Sequence, residues 1–188
     1  MVRVRVMDDA DVPAVAEIRV RGWQKAYAGI VPRSYLDAMS TGETARRTRE
    51  RLADPAGTTT DLVAVTDDGE ILGWVAHGPN PDAGWALHAL YVRPGRIGMG
   101  VGRALLAAVH EAVDPGAGVE LWVLRDNARA RRFYELAGYA PDGAEEQEDY
   151  DGVPVTELRY RRAPARPPGR PISRQARQRS ISKDGLAR

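Results

Sequence analysis

The stretch that most restricts how this chain can fold is LHALYVRPGRIGMGVGRALLAAV, residues 87–109. Its first part reads as a strand stopped by Pro94, and its last part as an Ala/Leu-rich helix. Between them Gly98, Gly100 and Gly102 occupy alternate positions. The glycines therefore lie in a strand-to-helix turn, where backbone N–H groups and the positive end of a helix dipole converge on one small volume. Such a place suits an anion, above all a phosphate. Turn chemistry alone explains one or two glycines; three at this spacing point to a close approach between backbone and ligand.

The surrounding pattern sets the fold class. VRVRVM, residues 2–7, alternates as a first strand, and DDADVPAVAEIRVRGWQKAY follows as a helix capped at Asp9 or Asp11 and ending near Gly29. PRSYLDAM and GETARRTRERLA read as two short helices. DLVAVTDDGEILGWVAHG is a hairpin turning at Asp67-Asp68-Gly69. GWALHALYV is the next strand, and the helix after the glycine turn runs from about Gly102 to Val113. GVELWVL is a buried strand, NARARRFYELAG a helix closed by Gly138, and GVPVTELRYRR a last strand. This order predicts an α/β domain with a mixed sheet rather than a series of βαβ units. A chain of 188 residues accommodates one such domain. We take it as residues 1–162.

Residues 163–188 form a tail rich in Pro, Arg and Ser without periodicity, expected to be disordered. Nine of the 27 basic residues but one of the 26 acidic residues lie in 161–188, so the body is acidic and the end is basic. A polyanion could bind there, yet a solvated extension is the simpler reading, and nucleic acid is not the expected partner.

Composition removes other chemistries. Without cysteine there are no disulfides, thiolate metal sites or cysteine nucleophiles. His77, His88 and His110 lack metal-ligand spacing, so no metal is expected. No apolar run approaches the ~18 residues of a membrane span, and MVRVRVMDD has no signal-peptide core, so the expectation is a soluble cytoplasmic protein. Among phosphate loops, the Walker pattern fails because Val101-Gly102 stands where Lys-Ser/Thr is required. The dinucleotide fingerprint fails because its last position is Arg103 or Leu105.

The pattern that fits is P-x-x-[R/Q]-G-x-G-x-G, and here the chain resembles the GCN5-related N-acetyltransferases, the GNAT family. NARARRFYELAGY, residues 127–139, resembles that family's N-x-x-A-x-x-F-Y-E-x-x-G-F/Y segment at every marked position, and RVMDDAD resembles its usual opening. The resemblance covers roughly residues 2–160. It implies a mixed, mostly antiparallel sheet of six to seven strands, splayed centrally to admit acetyl-CoA. It also implies acetyl transfer to an amine, with homodimers frequent among relatives.

The resemblance assigns roles residue by residue. Ile97, Gly98, Met99, Gly100, Val101, Gly102 and Arg103 would hold the pyrophosphate; Ile97 replaces the family's Arg/Gln, and Arg96 or Arg103 could add charge. Leu90, Tyr91 and Val92 would hold the pantetheine arm and acetyl carbonyl through their backbone. Asn127 would touch the cofactor arm, although as first residue of its helix it is equally an N-cap. Tyr134, seven residues on and so on the same helix face, would protonate the departing thiolate. Many relatives carry a Glu where this chain has Ala86, leaving the base open. His88, two positions along the strand, is one candidate; the run AEEQEDYDG acting through water, or an amine already neutral, are others. Trp23 and Tyr27, one helical turn apart, are candidates for the acceptor wall, while Trp74, Trp85 and Trp122 read as sheet packing. The expected function is acetyl-CoA-dependent N-acetylation of a small-molecule primary amine. Peptide or protein N-acetylation and a non-catalytic acyl-CoA-binding module are the alternatives.

Overall fold

The computed structural model describes residues 2–114 and 116–164. Nearly all of the basic tail, and with it the expectation of disorder, lies outside the described residues. The elements are β1 (Arg3–Val6), α1 (Val12–Ala26), α2 (Arg33–Ala38), α3 (Thr41–Ala53), β2 (Thr60–Val65), β3 (Ile71–Asn80), β4 (Gly84–Val92), α4 (Val101–Ala112), β5 (Gly118–Leu124), α5 (Ala128–Leu136), β6 (Ala140–Tyr150) and β7 (Val153–Arg162). The strands form one seven-stranded sheet in the order β1-β2-β3-β4-β5-β7-β6. Every neighbouring pair is antiparallel except β4 with β5.

Alternation along β2 shows how the sheet is sandwiched. Leu62 and Ala64 pack into a core built with Val101, Leu105, Leu106 and Val109 of α4. Val63 and Val65 pack into another with Val12, Val15 and Ile18 of α1. Those helical residues recur at intervals of three and four, the stripe that an amphipathic helix turns inward. Asp8 starts the turn into α1 with a reciprocal capping box: its side chain accepts from Ala10 N at 2.9 Å, and Asp11 accepts from Asp8 N at 3.0 Å. On the same side, α3 is tied to the sheet by Arg51, whose guanidinium grips the buried Asp61 at 2.5 and 2.8 Å while Trp74 Nε1 donates to it at 2.8 Å. The buried carboxylate is thereby satisfied.

Gly73 shows how tightly α4 seats. A Cβ there would lie 2.8 Å from the Tyr91 carbonyl oxygen and 3.0 Å from Leu105 Cδ1. Because the first obstacle is backbone, Gly73→Ala should destabilise the fold by about 1–3 kcal/mol, which a denaturant melt reads directly.

A segment without a predicted strand is one. β6 covers the acidic run and pairs with β7 through a turn at Asp151 (φ 53) and Gly152 (φ 81). Its side chains are almost all exposed, so hydrophobic alternation, the usual sign of a strand, is missing. The Asp-Gly pair was the available signal, since both central residues of this turn need positive φ.

At the end of α4, His110 Nε2 lies 2.9 Å from the Tyr139 hydroxyl. Burial, aided by the Arg162 cation, lowers its pKa to about 4. Because the folded pKa lies below the unfolded one, its contribution to stability is complete above about pH 6.5 and is lost as pH falls toward 4. Melting temperatures should therefore decline over that window, and less steeply in His110→Gln. Burial of His77 and His88 pushes the same way in both proteins, so the difference between the two curves isolates His110.

Candidate active site

The glycine turn delivers the donors expected of it. Gly98 (φ 90) and Gly100 (φ 84) adopt left-handed backbone conformations, and Gly100 is the N-cap of α4 with no side chain capping the helix. Within the turn, Met99 N reaches the Arg96 carbonyl, and Ala104 N reaches that of Gly100. The amides of Gly98, Gly100, Val101, Gly102 and Arg103 have no acceptor among the described residues. Free N–H groups at the start of a 12-residue helix fit a pyrophosphate, and exposed Ile97 and Met99 leave the approach open. The Arg103 guanidinium lies 3.9 Å from where a Cβ on Gly100 would stand, beside the cradle. Arg96 is engaged elsewhere, in a 2.7 Å ion pair with Glu70. Gly102 has a second role: a Cβ there would meet Phe133 at 3.4 Å and Val92 at 3.6 Å, so it also lets α5 pack closely.

Next to the cradle the sheet opens. β4 and β5 pair only at Gly84–Gly118, Trp85–Val119 and Ala86–Glu120, and then diverge. Arg93 N donates to the Leu72 carbonyl on β3 at 2.8 Å. Consecutive residues of a strand direct their backbone groups to opposite edges, so those of Leu90 and Val92 face the opening. Their side chains pack into the α4 core, as expected. Tyr91 behaves differently. Its ring faces α1, where the missing side chain of Gly22 makes room for it: a Cβ would lie 3.3 Å from Tyr91 Cδ1. Alternation turns the ring away from Leu90 and Val92. Earlier in β4 there is an irregularity, in which His77 pairs with Leu87 and Ala76 with Ala89, leaving His88 as an extra residue. The bulge puts His88 and Tyr91 on one side of the sheet, against a simple period of two.

That side carries a cavity of about 610 Å³ at the mouth of the splay. Trp23, Tyr27, Tyr91, Trp74 and Trp122 supply aromatic walls, and His88, Arg19, Arg51, Glu120 and Glu157 supply polar ones. Trp23 and Tyr27 make an edge contact at 4.8 Å, Trp23 Nε1 donates to the Tyr91 hydroxyl at 2.7 Å, and Trp74 stacks with Tyr91 at 6.0 Å. Trp74 and Trp122 thus belong to the site as well as to the sheet, while Trp85 packs near His77.

The candidate acids and bases separate by their partners. His88 has its pKa lowered by burial and then by the Arg51 cation, so its imidazole is neutral near pH 7 and able to accept a proton. Glu120, beside Ala86 in register, is fully engaged: Asn80 donates to one oxygen at 2.8 Å and Arg161 to the other at 3.2 and 2.9 Å. Tyr134 is buried on α5, and burial, with Tyr91 and Tyr139 nearby, raises its phenol above the usual range. Its hydroxyl has no hydrogen bond among the described residues, leaving a proton to give. Asn127 caps α5, accepting from Ala130 N at 3.1 Å.

Of the residues expected from the sequence, Trp23, Tyr27, His88 and Tyr91 line one cavity. Tyr134 lies within electrostatic reach of Tyr91 and Tyr27, while the glycine turn, Leu90, Val92 and Asn127 are not part of the cavity lining. The charged residues of the cavity, Arg19, Arg51, Glu120 and Glu157, all escaped the sequence reading. Arg19 carried a legible sign, since residues 19, 23 and 27 are spaced by one helical turn each. Glu157 carried none, because it depends on β7 crossing beside β5.

The architecture recurs in solved proteins. The PaiA N-acetyltransferase of Thermoplasma acidophilum, crystallised in complex with coenzyme A, superposes with a TM-score of 0.64 at 18% identity, over 87% of this chain and 99% of that one. Among named relatives, "Uncharacterized N-acetyltransferase YuaI" of Bacillus subtilis is 28% identical over 84% of this chain and 91% of its own length. "Probable N-acetyltransferase Rv2775" of Mycobacterium tuberculosis is 29% identical over 89% and 97%. The model of the acetyltransferase (GNAT) family matches residues 21–139, spanning the α1 aromatics, the splay, the glycine turn and α5. With free amides at the head of α4 and an open strand edge leading to an aromatic cavity, this chain belongs to the GNAT family and is an acetyltransferase that uses acetyl-CoA.

Proposed function

We propose that this chain is a cytoplasmic N-acetyltransferase that acetylates a primary amine of a small molecule by direct attack in a ternary complex. The observation that carries the reading is the splay of β4 from β5, with free amides at the head of α4 near it and an aromatic-walled cavity of about 610 Å³ at its mouth. A cavity walled by Trp23, Tyr27 and Tyr91 suits a compact acceptor better than an extended peptide backbone.

Acetyl-CoA supplies the activated acetyl thioester. The amides of the Gly98–Arg103 turn and the Arg103 side chain hold its pyrophosphate. The backbone of Leu90 and Val92 holds the pantetheine arm and directs an N–H at the thioester oxygen, where negative charge develops. Asn127 uses its amide nitrogen toward the same arm while its oxygen caps α5. His88 takes the proton that the acceptor ammonium must lose before its lone pair can attack. Tyr134 gives its phenolic proton to the leaving sulfur. Its raised pKa does not oppose this, because burial disfavours the thiolate in the same site for the same reason.

The test is release of free thiol from acetyl-CoA in the presence of a panel of primary amines, with the acetylated product identified by mass. Amine-dependent turnover supports the reading. Tight acetyl-CoA binding without turnover on any amine or N-terminal peptide would establish a binding module instead.

A further inference from the structure

Four charged side chains and their neighbours set the polarity of the acceptor cavity, and they are not equally engaged. Arg51 is locked to Asp61, and Glu120 is locked to Arg161 and Asn80. Arg19 and Glu157 are the exceptions: neither has an ion pair or hydrogen bond among the described residues, and both line the cavity. They come from different elements. Arg19 lies on α1, one turn before Trp23 and two before Tyr27. Glu157 lies on β7, opposite Leu124 of β5. Both act electrostatically on the Tyr91 hydroxyl, Arg19 favouring its ionised form and Glu157 opposing it, so both charges lie within reach of one group in the cavity.

Resting on the acetyltransferase reading above, we propose that the acceptor is a zwitterion, an amine bearing a carboxylate or similar anionic group, with Glu157 receiving the ammonium and Arg19 the anion. A half-buried charge without a partner costs stability unless a ligand completes it. Glu157 is under particular strain of this kind. Glu146 stands directly opposite it across β6–β7, and Glu148 lies two residues further along the same face. Burial and these two carboxylates raise its pKa, and the remaining groups facing it, Tyr27, Tyr91 and Tyr150, are neutral phenols. An ammonium would relieve that repulsion, and the planar guanidinium of Arg19 suits a carboxylate. Between them, Tyr91 and Trp23 would pack against the carbon skeleton.

The test uses matched acceptors: α-amino acids against their amides, and ω-aminocarboxylates against n-alkylamines of equal length. The wild-type enzyme should prefer the carboxylate member of a pair by at least about tenfold in kcat/KM. Arg19→Gln should raise KM for carboxylate acceptors by about 10- to 100-fold, the range for losing a hydrogen-bonded charge, and leave the partners lacking a carboxylate unchanged. Arg19→Lys should recover part of the loss. Glu157→Gln should raise KM for both members of each pair. Neither side chain has a partner to orphan, so acetyl-CoA affinity should be unaltered and neither variant should melt earlier; Glu157→Gln, which removes the repulsion from Glu146 and Glu148, should melt at the same temperature or higher. Equal turnover of both members of every pair, or an Arg19→Gln effect on acetyl-CoA affinity instead of acceptor preference, would overturn the proposal while leaving N-acetylation standing. Absence of turnover on every amine would remove both.

Discussion

Tyr134→Phe is expected to lower kcat by about 10²–10⁴-fold, the range for removing a positioned general acid. The substitution deletes one hydroxyl that has no hydrogen-bond partner among the described residues. The ring can keep its edge contacts with Phe133 at 5.1 Å and Tyr139 at 5.8 Å. Folding and acetyl-CoA binding should therefore be nearly unchanged. The deficit should appear in kcat rather than KM, because the proton is needed only as the carbon–sulfur bond breaks. Steady-state kinetics with a calorimetric check on acetyl-CoA affinity separates these quantities. Full turnover in the variant would mean that water or another group protonates the sulfur. His88→Ala run alongside tests the base: a loss that is deep at low and neutral pH and shrinks as the amine deprotonates by itself implicates His88, whereas unchanged turnover points to a base elsewhere.

Gly100→Val should abolish acetyl-CoA binding, lowering affinity by at least about 100-fold. The backbone at φ 84 is strained for any side chain, and β-branching makes it worse. Relaxing that strain would turn away the first amides of α4, and losing two contacts to a charged phosphate at about 1.5–3 kcal/mol each exceeds a 100-fold change. Calorimetry on the folded variant decides the matter; wild-type affinity would refute this placement of the pyrophosphate. Gly102→Val is a poorer test of the same idea. Its side chain would run into Phe133, so a loss of binding there could follow from a displaced α5.

The contrast between these two glycines shows where reading the chain succeeds. The alternate glycines before an Ala/Leu-rich run announced a helix start with open amides, since that information is local: φ preferences, a proline stop and a 3.6-residue period. The α1 aromatics, the hairpin from β2 to β3 and the Asn127 cap were legible for the same reason. Spacing placed Gly102 in the turn with the other two, whereas it is the second residue of α4, in a helix that starts at Val101, and Phe133 of α5 presses against it.

What the tertiary structure alone decided concerns pairs of residues far apart in sequence. β6 escaped notice because an exposed edge strand need not bury one face, so its acidic residues carry no period of two. The bulge that turns His88 and Tyr91 into one cavity arises from a mismatch of β3 and β4, invisible in either strand alone. Arg96 could not be assigned to Glu70, nor Glu120 to Arg161, from the chain, because an ion pair depends on which strands become neighbours. By itself the sequence determined that a glycine turn would leave the head of α4 uncapped by any side chain, and that Tyr134 would lie on the helix opened by Asn127. Only the packing of α1 and β7 around the splay decided which charges line the cavity without a partner among the described residues, because that balance is set by contacts the linear order does not contain.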